Sequence, residues 1–405
     1  MPHIAFFLPP ATHGHVFPTF PVIRELVAKG ARVSYFSPPL PGVDAEVRAA
    51  GGEFRAYDPI FRFKERDDEP RSVSWAAYPR RVIADAMHVA ERLEGTLRDL
   101  RPDVIVHDFS CVAGRILGHA LARPTVVLYP TFPTNRHFPL TKIVPIDVPE
   151  DHPERVAFHR VVQEITARWG LPASTDDEMF VPSALLNVVF MPREFHPAGH
   201  TFGESYRFVG PSFGPRATPA ATLPSRDRSR PLYYVSLGTA FSNQPDFFRL
   251  CLETLSALDG DLVMSIGKHF DRSLLGPVPD NVTLASFVSQ LDVLPHCTAF
   301  VTHGGMNSVM ESLFHGVPMV VVPQIPEQAC TAKWVAASKL GVTMDARERS
   351  PKVLLDAVNT AVRDPAIAES VRAMKQIVRA SDGPRAAAEA ILSLVASDAE
   401  NVVVA

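Results

Sequence analysis

Cysteine is scarce in this 405-residue chain, and what there is does not cluster. Cys111, Cys251, Cys297 and Cys330 form no Cys-x-x-Cys pair. That spacing argues against a disulfide scaffold or a zinc ribbon and reads as ordinary thiols of a reducing compartment. Long apolar runs are missing too: none approaches the ~18 residues a membrane-spanning helix needs. The opening MPHIAFFLPP has no basic stretch ahead of its apolar residues, so it is not read as a secretory signal. Nor is there an excess of positive charge. The formal net charge is −4, which gives no sign of affinity for nucleic acid. No Walker motif, Gly-x-Ser-x-Gly elbow, short repeat or low-complexity tract occurs. The expectation left standing is a soluble, cytoplasmic protein with no membrane span, long enough for two domains.

What the chain does contain is one grammar used twice. Residues 3–8 (HIAFFL) read as a buried strand, 9–15 as a turn, 20–29 as an amphipathic helix stopped by Gly30, and 31–37 (ARVSYFS) as a second strand. A helix over 87–101, a strand over 103–108 (DVIVHD), a helix over 115–121 and a strand over 125–130 (TVVLYP) continue the alternation. Such spacing predicts a parallel, doubly wound sheet. After FVGPSF, the Pro-, Ala- and Ser-rich GPRATPAATLPSRDRSRP has no periodicity and reads as a linker. The grammar restarts at LYYVSLG (232–238), with a helix over 245–257 and a strand over 262–267. The domains expected are 1–215, a linker 216–230, 231–383, and a last helix within 384–405 that can reach back to the first domain.

Residues 300–328 are the densest segment: FVTHGGMNSVMESLFHGVPMVVVPQIPEQ. A strand ends at Thr302, and His303, Gly304 and Gly305 make a turn. Asn307 and Ser308 are favoured N-cap residues, with Glu311 at capping-box spacing from Ser308. The helix runs to about His315, a strand covers 319–322, and QIPEQ is read as a polar loop. Helix capping alone explains Ser308 and Glu311. It does not explain a histidine and two glycines at the carboxyl end of a strand, where open α/β sheets bind ligands and a helix N-terminus attracts anions.

Two further groups bear on chemistry. His13-Gly14-His15 comes after the first strand. Two metal ligands are one reading, but no third or fourth partner lies near in sequence. A general base is another, since an unperturbed imidazole titrates near pH ~6.5, and Asp108, ending another strand of the same sheet, is a candidate to orient it. Either residue is also satisfied by an ordinary turn or capping role. Asp259-Gly260-Asp261 has the Asp-x-Asp form of some metal sites but reads as the turn before the 262–267 strand.

Taken together, GHVFPTFPVIREL, HDF at 107–109, FVGPS, VSLGTAF and THGGMNSVMESLFHGVPMVVVPQIPEQ resemble family 1 glycosyltransferases of the GT-B fold, the bacterial macrolide and natural-product UDP-glucosyltransferases most of all. The resemblance runs in order along essentially the whole chain. It implies two facing Rossmann-like domains, the first for the acceptor and the second for a nucleotide sugar, and an inverting, metal-independent transfer. The resemblance makes His15 the catalytic base and Asp108 its partner. It puts His303, Gly305, Asn307, Ser308 and Thr239 against the diphosphate, Glu311 and Gln290 against ribose, and Glu327 and Gln328 against the sugar. Phe287, with Val288 beside it, is left to hold the base.

The chain departs from the family pattern in three places. Phe17 stands for the Asn of GHVNP, Phe287 and Ser289 stand for the Trp and Pro of WxPQ, and Glu327 stands for Asp. The second departure leaves UDP- and dTDP-sugars both open as co-substrate; no cofactor is implied. Phe61, Phe63, Trp75, Tyr78, Phe132 and Phe138 are aromatic candidates to line a pocket for an apolar acceptor such as a macrolide, polyketide or flavonoid. A sugar-nucleotide 2-epimerase or hydrolase, and a non-catalytic nucleotide-sugar binder, are the alternatives. The first predicts turnover without an acceptor, and the second predicts that His15 is dispensable.

Overall fold

The computed structural model describes residues 1–9, 13–61, 76–143, 149–171, 184–214, 229–238, 243–268, 270–345 and 348–398. The chain forms two units. Unit 1 comprises Met1–Thr141, Pro145–Thr218 and Asp382–Ala405, and unit 2 comprises Lys142–Val144 and Pro219–Ser381.

Unit 1 runs β1 (His3–Phe7), α1 (His13–Val16), α2 (Thr19–Ala28), β2 (Arg32–Ser37), α3 (Val43–Ala49), β3 (Glu53–Ala56), α4 (Tyr78–Leu100), β4 (Val104–Asp108), α5 (Val112–Ala120), β5 (Thr125–Tyr129), α6 (Pro153–Trp169), β6 (Leu186–Val189) and β7 (Tyr206–Phe208). Its sheet has the order β3-β2-β1-β4-β5-β6-β7, with every pairing parallel. β1 and β4 are buried on both faces, which is why they read as unbroken apolar runs. Alternate residues feed different cores: Ile4, Phe6, Val104 and Val106 face one layer, and Ala5, Phe7 and Ile105 the other. Phe6 and Phe7 are wholly buried, each stabilising the fold by about 1.5–3 kcal/mol relative to exposure.

Unit 2 runs β8 (Leu232–Ser236), α7 (Pro245–Leu255), β9 (Asp261–Ser265), β10 (Val282–Ala285), α8 (Gln290–Val293), β11 (Ala299–Thr302), α9 (Met306–His315), β12 (Met319–Val321), α10 (Pro326–Ala337), β13 (Gly341–Thr343), α11 (Pro351–Arg363) and α12 (Pro365–Ala380). The strand order is β10-β9-β8-β11-β12-β13, again parallel throughout. In each sheet the order reverses once, at β1/β4 and at β8/β11, and ligands of doubly wound folds bind beyond the strand ends at such points. A last helix, α13 (Gly383–Asp398), belongs to unit 1. It lies against α2 and β6 and buries Ala387, Ala388 and Ile391 completely. No helix among the described residues is long and apolar enough to cross a membrane.

Four local expectations change. The turn expected over 9–15 includes a short helix, α1, from His13. α4 begins at Tyr78, well before 87, with Pro79 in its first turn, where a missing N–H costs nothing. The N-cap of α9 is Gly305, not Asn307 or Ser308, and so offers no capping side chain of its own. Finally, QIPEQ is not all loop: Pro326 opens α10, which puts Glu327 and Gln328 in its first turn.

Candidate functional site

β1 and β4 are neighbours in the sheet, so the short helix after β1 comes close to the carboxyl end of β4. His15 on α1 pairs its Nδ1 with Oδ2 of Asp108 at 2.9 Å. Asp108 is completely buried, whereas the His15 side chain is 25% exposed. The second carboxylate oxygen, Oδ1, accepts from the Ser110 backbone N–H (2.9 Å) and hydroxyl (2.6 Å). An acceptor-only carboxylate fixes the neutral tautomer of His15 with its proton on Nδ1, leaving Nε2 the basic nitrogen. The imidazole stacks on Phe109, ring centroids 5.9 Å apart, and Phe109 stacks on Tyr129 at 5.6 Å. Asp108 does not cap α5, whose N-cap is Cys111. Sequence reasoning misses Ser110, although a serine two places after an aspartate is a usual turn partner for it.

The aromatic residues expected to line an acceptor pocket separate into three groups. Phe61 and Tyr78 meet edge to face at 6.0 Å. Asp85 of α4, buried and not singled out by sequence, accepts the backbone N–H groups of Ile60 (2.7 Å) and Phe61 (3.0 Å) and so fixes that stretch of chain. Burial, and after it the charge of Asp108, push the Tyr78 phenol up to about 12. Phe132 and Phe138 do not line an open pocket. They are 1% and 8% exposed and pack around His196 with Phe195 and Phe202. His196 there bonds Pro133 O (2.9 Å) and accepts from Ala198 N (3.0 Å). This is an aromatic core that one polar ring completes. Phe63 and Trp75 lie outside the described residues.

In unit 2 the corresponding strand ends carry Gly238, after β8, and His303, after β11. A Cβ on Gly238 would lie 2.7 Å from His303 Cε1 and Nε2, and one on Gly305 would lie 2.4 Å from Nε2. Both glycines therefore make space for this ring, and Gly238 also has φ +77°, a left-handed value that glycine adopts freely. Sequence reasoning misses Gly238. Its signal is that VSLG repeats the strand-then-glycine pattern of VTHGG. Burial pushes the His303 ring down to about 4 against an opposing interaction with the Ser236 backbone, so the ring is neutral at pH 7. Among the described residues His303 Nδ1, buried and facing the Ser236 backbone, meets no acceptor or donor in full hydrogen-bond geometry.

One turn into α9, Glu311 is 1% exposed. Gln290 Nε2 donates to its Oε2 at 2.6 Å and to Ser308 Oγ at 3.1 Å. The expected capping box is thus replaced by a side-chain network between α8 and α9. Asn307 is half-buried in the first turn of α9, Phe287 is half-buried, and Val288 is 2% exposed. Gln328 Oε1 accepts from Gln324 N at 2.9 Å, and Gln324 Nε2 donates to Val322 O at 2.7 Å, fixing the loop ahead of Glu327. Thr239 lies outside the described residues. Asp259 and Asp261 both pair with Arg230, at 3.6 and 3.3 Å. Among the described residues no group of three or more His, Cys, Asp or Glu side chains is arranged to hold a metal ion.

Known proteins share this fold and much of this sequence. Residues 249–394 match the family described as Erythromycin biosynthesis protein CIII-like, C-terminal domain. Over 96% of both chains, the protein is 34% identical to NDP-glycosyltransferase YjiC of Bacillus subtilis (strain 168). It is 32% identical to demethyllactenocin mycarosyltransferase of Streptomyces fradiae, covering 98% of this chain and 87% of that one. The crystal structure of CalG4, the calicheamicin glycosyltransferase, superposes with a TM-score of 0.85 at 31% identity over 98% of each chain. A chain this similar along nearly its whole length to glycosyltransferases, on the same pair of parallel sheets, belongs to the GT-B-fold family of bacterial natural-product glycosyltransferases.

Proposed function

We propose that the protein moves a sugar, glucose from UDP-glucose or the sugar of a dTDP donor, to a hydroxyl of an apolar natural product of the macrolide, polyketide or flavonoid kind, with inversion and without a metal. The observation that carries this reading is the His15–Asp108 pair. A partly exposed imidazole is held by a wholly buried carboxylate whose other oxygen is already occupied by Ser110. His15 Nε2 takes the proton of the acceptor hydroxyl as that oxygen attacks the anomeric carbon. Asp108 keeps the ring oriented and stabilises the imidazolium that forms. An α-linked donor gives a β-glycoside.

The donor side is built for an anion. The diphosphate meets the N-terminus of α9, which begins at a glycine with no side-chain cap, and His303, a neutral ring beside it. Glu311, pre-oriented by Gln290, accepts the ribose hydroxyls; Glu327 and Gln328 hold the sugar. Acceptors of this class are supported by the names of the relatives and by the Phe61–Tyr78 pair near Asp108.

The test is His15→Ala. Transfer to an aliphatic alcohol should fall by about 10²–10⁴-fold, with UDP affinity unchanged. A phenol, whose ordinary pKa is about 10, should lose less, because less proton transfer is left to assist. Wild-type rates with the alcohol would reject the assignment. Turnover of donor without any acceptor would favour a hydrolase or epimerase.

A further inference from the structure

His15 sits on a helix of only four residues, too short to hold its own shape. Something else must fix where the imidazole points. Two buried hydrogen bonds to the segment just after it do so. The Thr19 hydroxyl donates to Val16 O at 2.6 Å. Its only hydrogen is thereby used, so the Tyr35 hydroxyl, 3.0 Å away, is the donor to Thr19 Oγ1. From the other side, the Ser212 hydroxyl donates to Pro18 O at 2.6 Å. Thr19 and Tyr35 are fully buried and Ser212 is 8% exposed. The three come from α2, β2 and the chain after β7, so separate parts of unit 1 converge on residues 16–18. Ser212 is itself backed: a Cβ on Gly383, at the start of α13, would lie 2.2 Å from Pro211 O, so that segment is closely packed from behind. Burial, against an opposing contribution from the hydrogen bond with Thr19, pushes the Tyr35 phenol upward, so it carries its proton at neutral pH.

We propose that Thr19, Tyr35 and Ser212 are positioning residues for His15: a hydroxyl clamp that fixes the Val16 and Pro18 carbonyls and through them the imidazole on α1. The inference rests on His15 acting as the base. A misplacement of about 1 Å in a reacting group costs on the order of a hundredfold, whereas a bond that serves only the fold affects every acceptor alike.

The experiment measures steady-state transfer to one aliphatic alcohol and one phenol, with whichever of UDP-glucose and dTDP-glucose gives the higher wild-type rate. UDP affinity and melting temperature are measured alongside. Thr19→Val keeps the shape and removes the hydroxyl. It should lower kcat for the alcohol roughly ten- to hundredfold and that for the phenol only a few-fold, with UDP affinity unchanged. Thr19→Ser should restore the alcohol rate. Tyr35→Phe and Ser212→Ala should change the alcohol-to-phenol ratio in the same direction. If Thr19→Val does not fold, Tyr35→Phe decides, since it removes one oxygen and leaves the ring in place. The proposal is overturned if the folded variants keep the wild-type alcohol-to-phenol ratio, whatever happens to their stability. His15→Ala separates the two ideas. If it loses the alcohol reaction while the clamp variants do not, only the clamp fails; if it keeps it, the base assignment fails.

Discussion

Gly305→Ala isolates one physical effect. Gly305 has φ −62° and ψ 137°, a conformation open to any residue, so alanine introduces no backbone strain. What it introduces is a methyl carbon 2.4 Å from His303 Nε2, where ordinary contact begins at 3.4 Å. The ring must therefore retreat by about 1 Å. Overpacking of this kind costs about 1–3 kcal/mol of stability, and a displaced ring loses its bond to the proposed diphosphate. A hydrogen bond to a charged group is worth about 1.5–3 kcal/mol, so UDP affinity should fall roughly ten- to hundredfold. Calorimetric titration with UDP and a thermal melt read the two effects separately. The decisive arm is the double variant. In a His303→Ala background the methyl has nothing to strike, and Gly305→Ala should then cost less than about threefold in UDP affinity, a coupling that a merely structural glycine lacks. Equal losses in both backgrounds would refute the reasoning and assign the effect to the amide of residue 305.

Glu311→Gln keeps an acceptor for Gln290 but removes the charge, and should raise donor KM by about tenfold while kcat and melting temperature stay close to wild type; a lower melting temperature with unchanged KM would make Glu311 a packing residue. Transfer should survive EDTA, and turnover lost to chelator and restored by Mn²⁺ would overturn the metal-free mechanism. Burial pushes His107, His196 and His303 each down to about 4. Between pH 6.5 and about 4 the unfolded chain therefore takes up protons that the folded one refuses. Stability should be lost as pH falls through that window, by about 2 kcal/mol per histidine at pH 5. Denaturant midpoints measured from pH 7 to pH 5 check the sign, and a flat profile would contradict it.

The parts of the fold legible from sequence are those where burial writes the pattern. HIAFF, VIVHD and LYYVS are buried strands and read as nearly unbroken apolar runs. The His15–Asp108 juxtaposition is legible for the same reason, because Asp108 ends one such strand and His15 follows its neighbour in the sheet. The edge strands β3, β7, β10 and β13 are not, being only three or four residues long and carrying no long apolar run. The cap of α9 is misleading because Asn and Ser are better N-caps than glycine in general. Here the cap position faces the ring of His303, two residues earlier in the same turn, which leaves no room for a side chain, and N-cap preference alone does not register that close approach. Pro326 reads as a loop marker although proline equally opens a helix; nothing local distinguishes the two. Phe132 and Phe138 look like any exposed aromatic in sequence, and only the convergence of Phe195, His196 and Phe202 on them reveals a core.

The placement of α13 also has a consequence for synthesis. Unit 1 closes with residues that leave the ribosome after all of unit 2, since α13 comes after α12 in the chain yet covers α2 with Ala387, Ala388 and Ile391. Until then the apolar face of α2 is uncovered, while unit 2 has all of its described strands. The later domain is thus able to finish first, and the half that carries His15 waits for α13. A premature stop after residue 381 would spare the sheet of unit 2 and expose the core of unit 1, so that quality control, not substrate binding, would be the first to notice it.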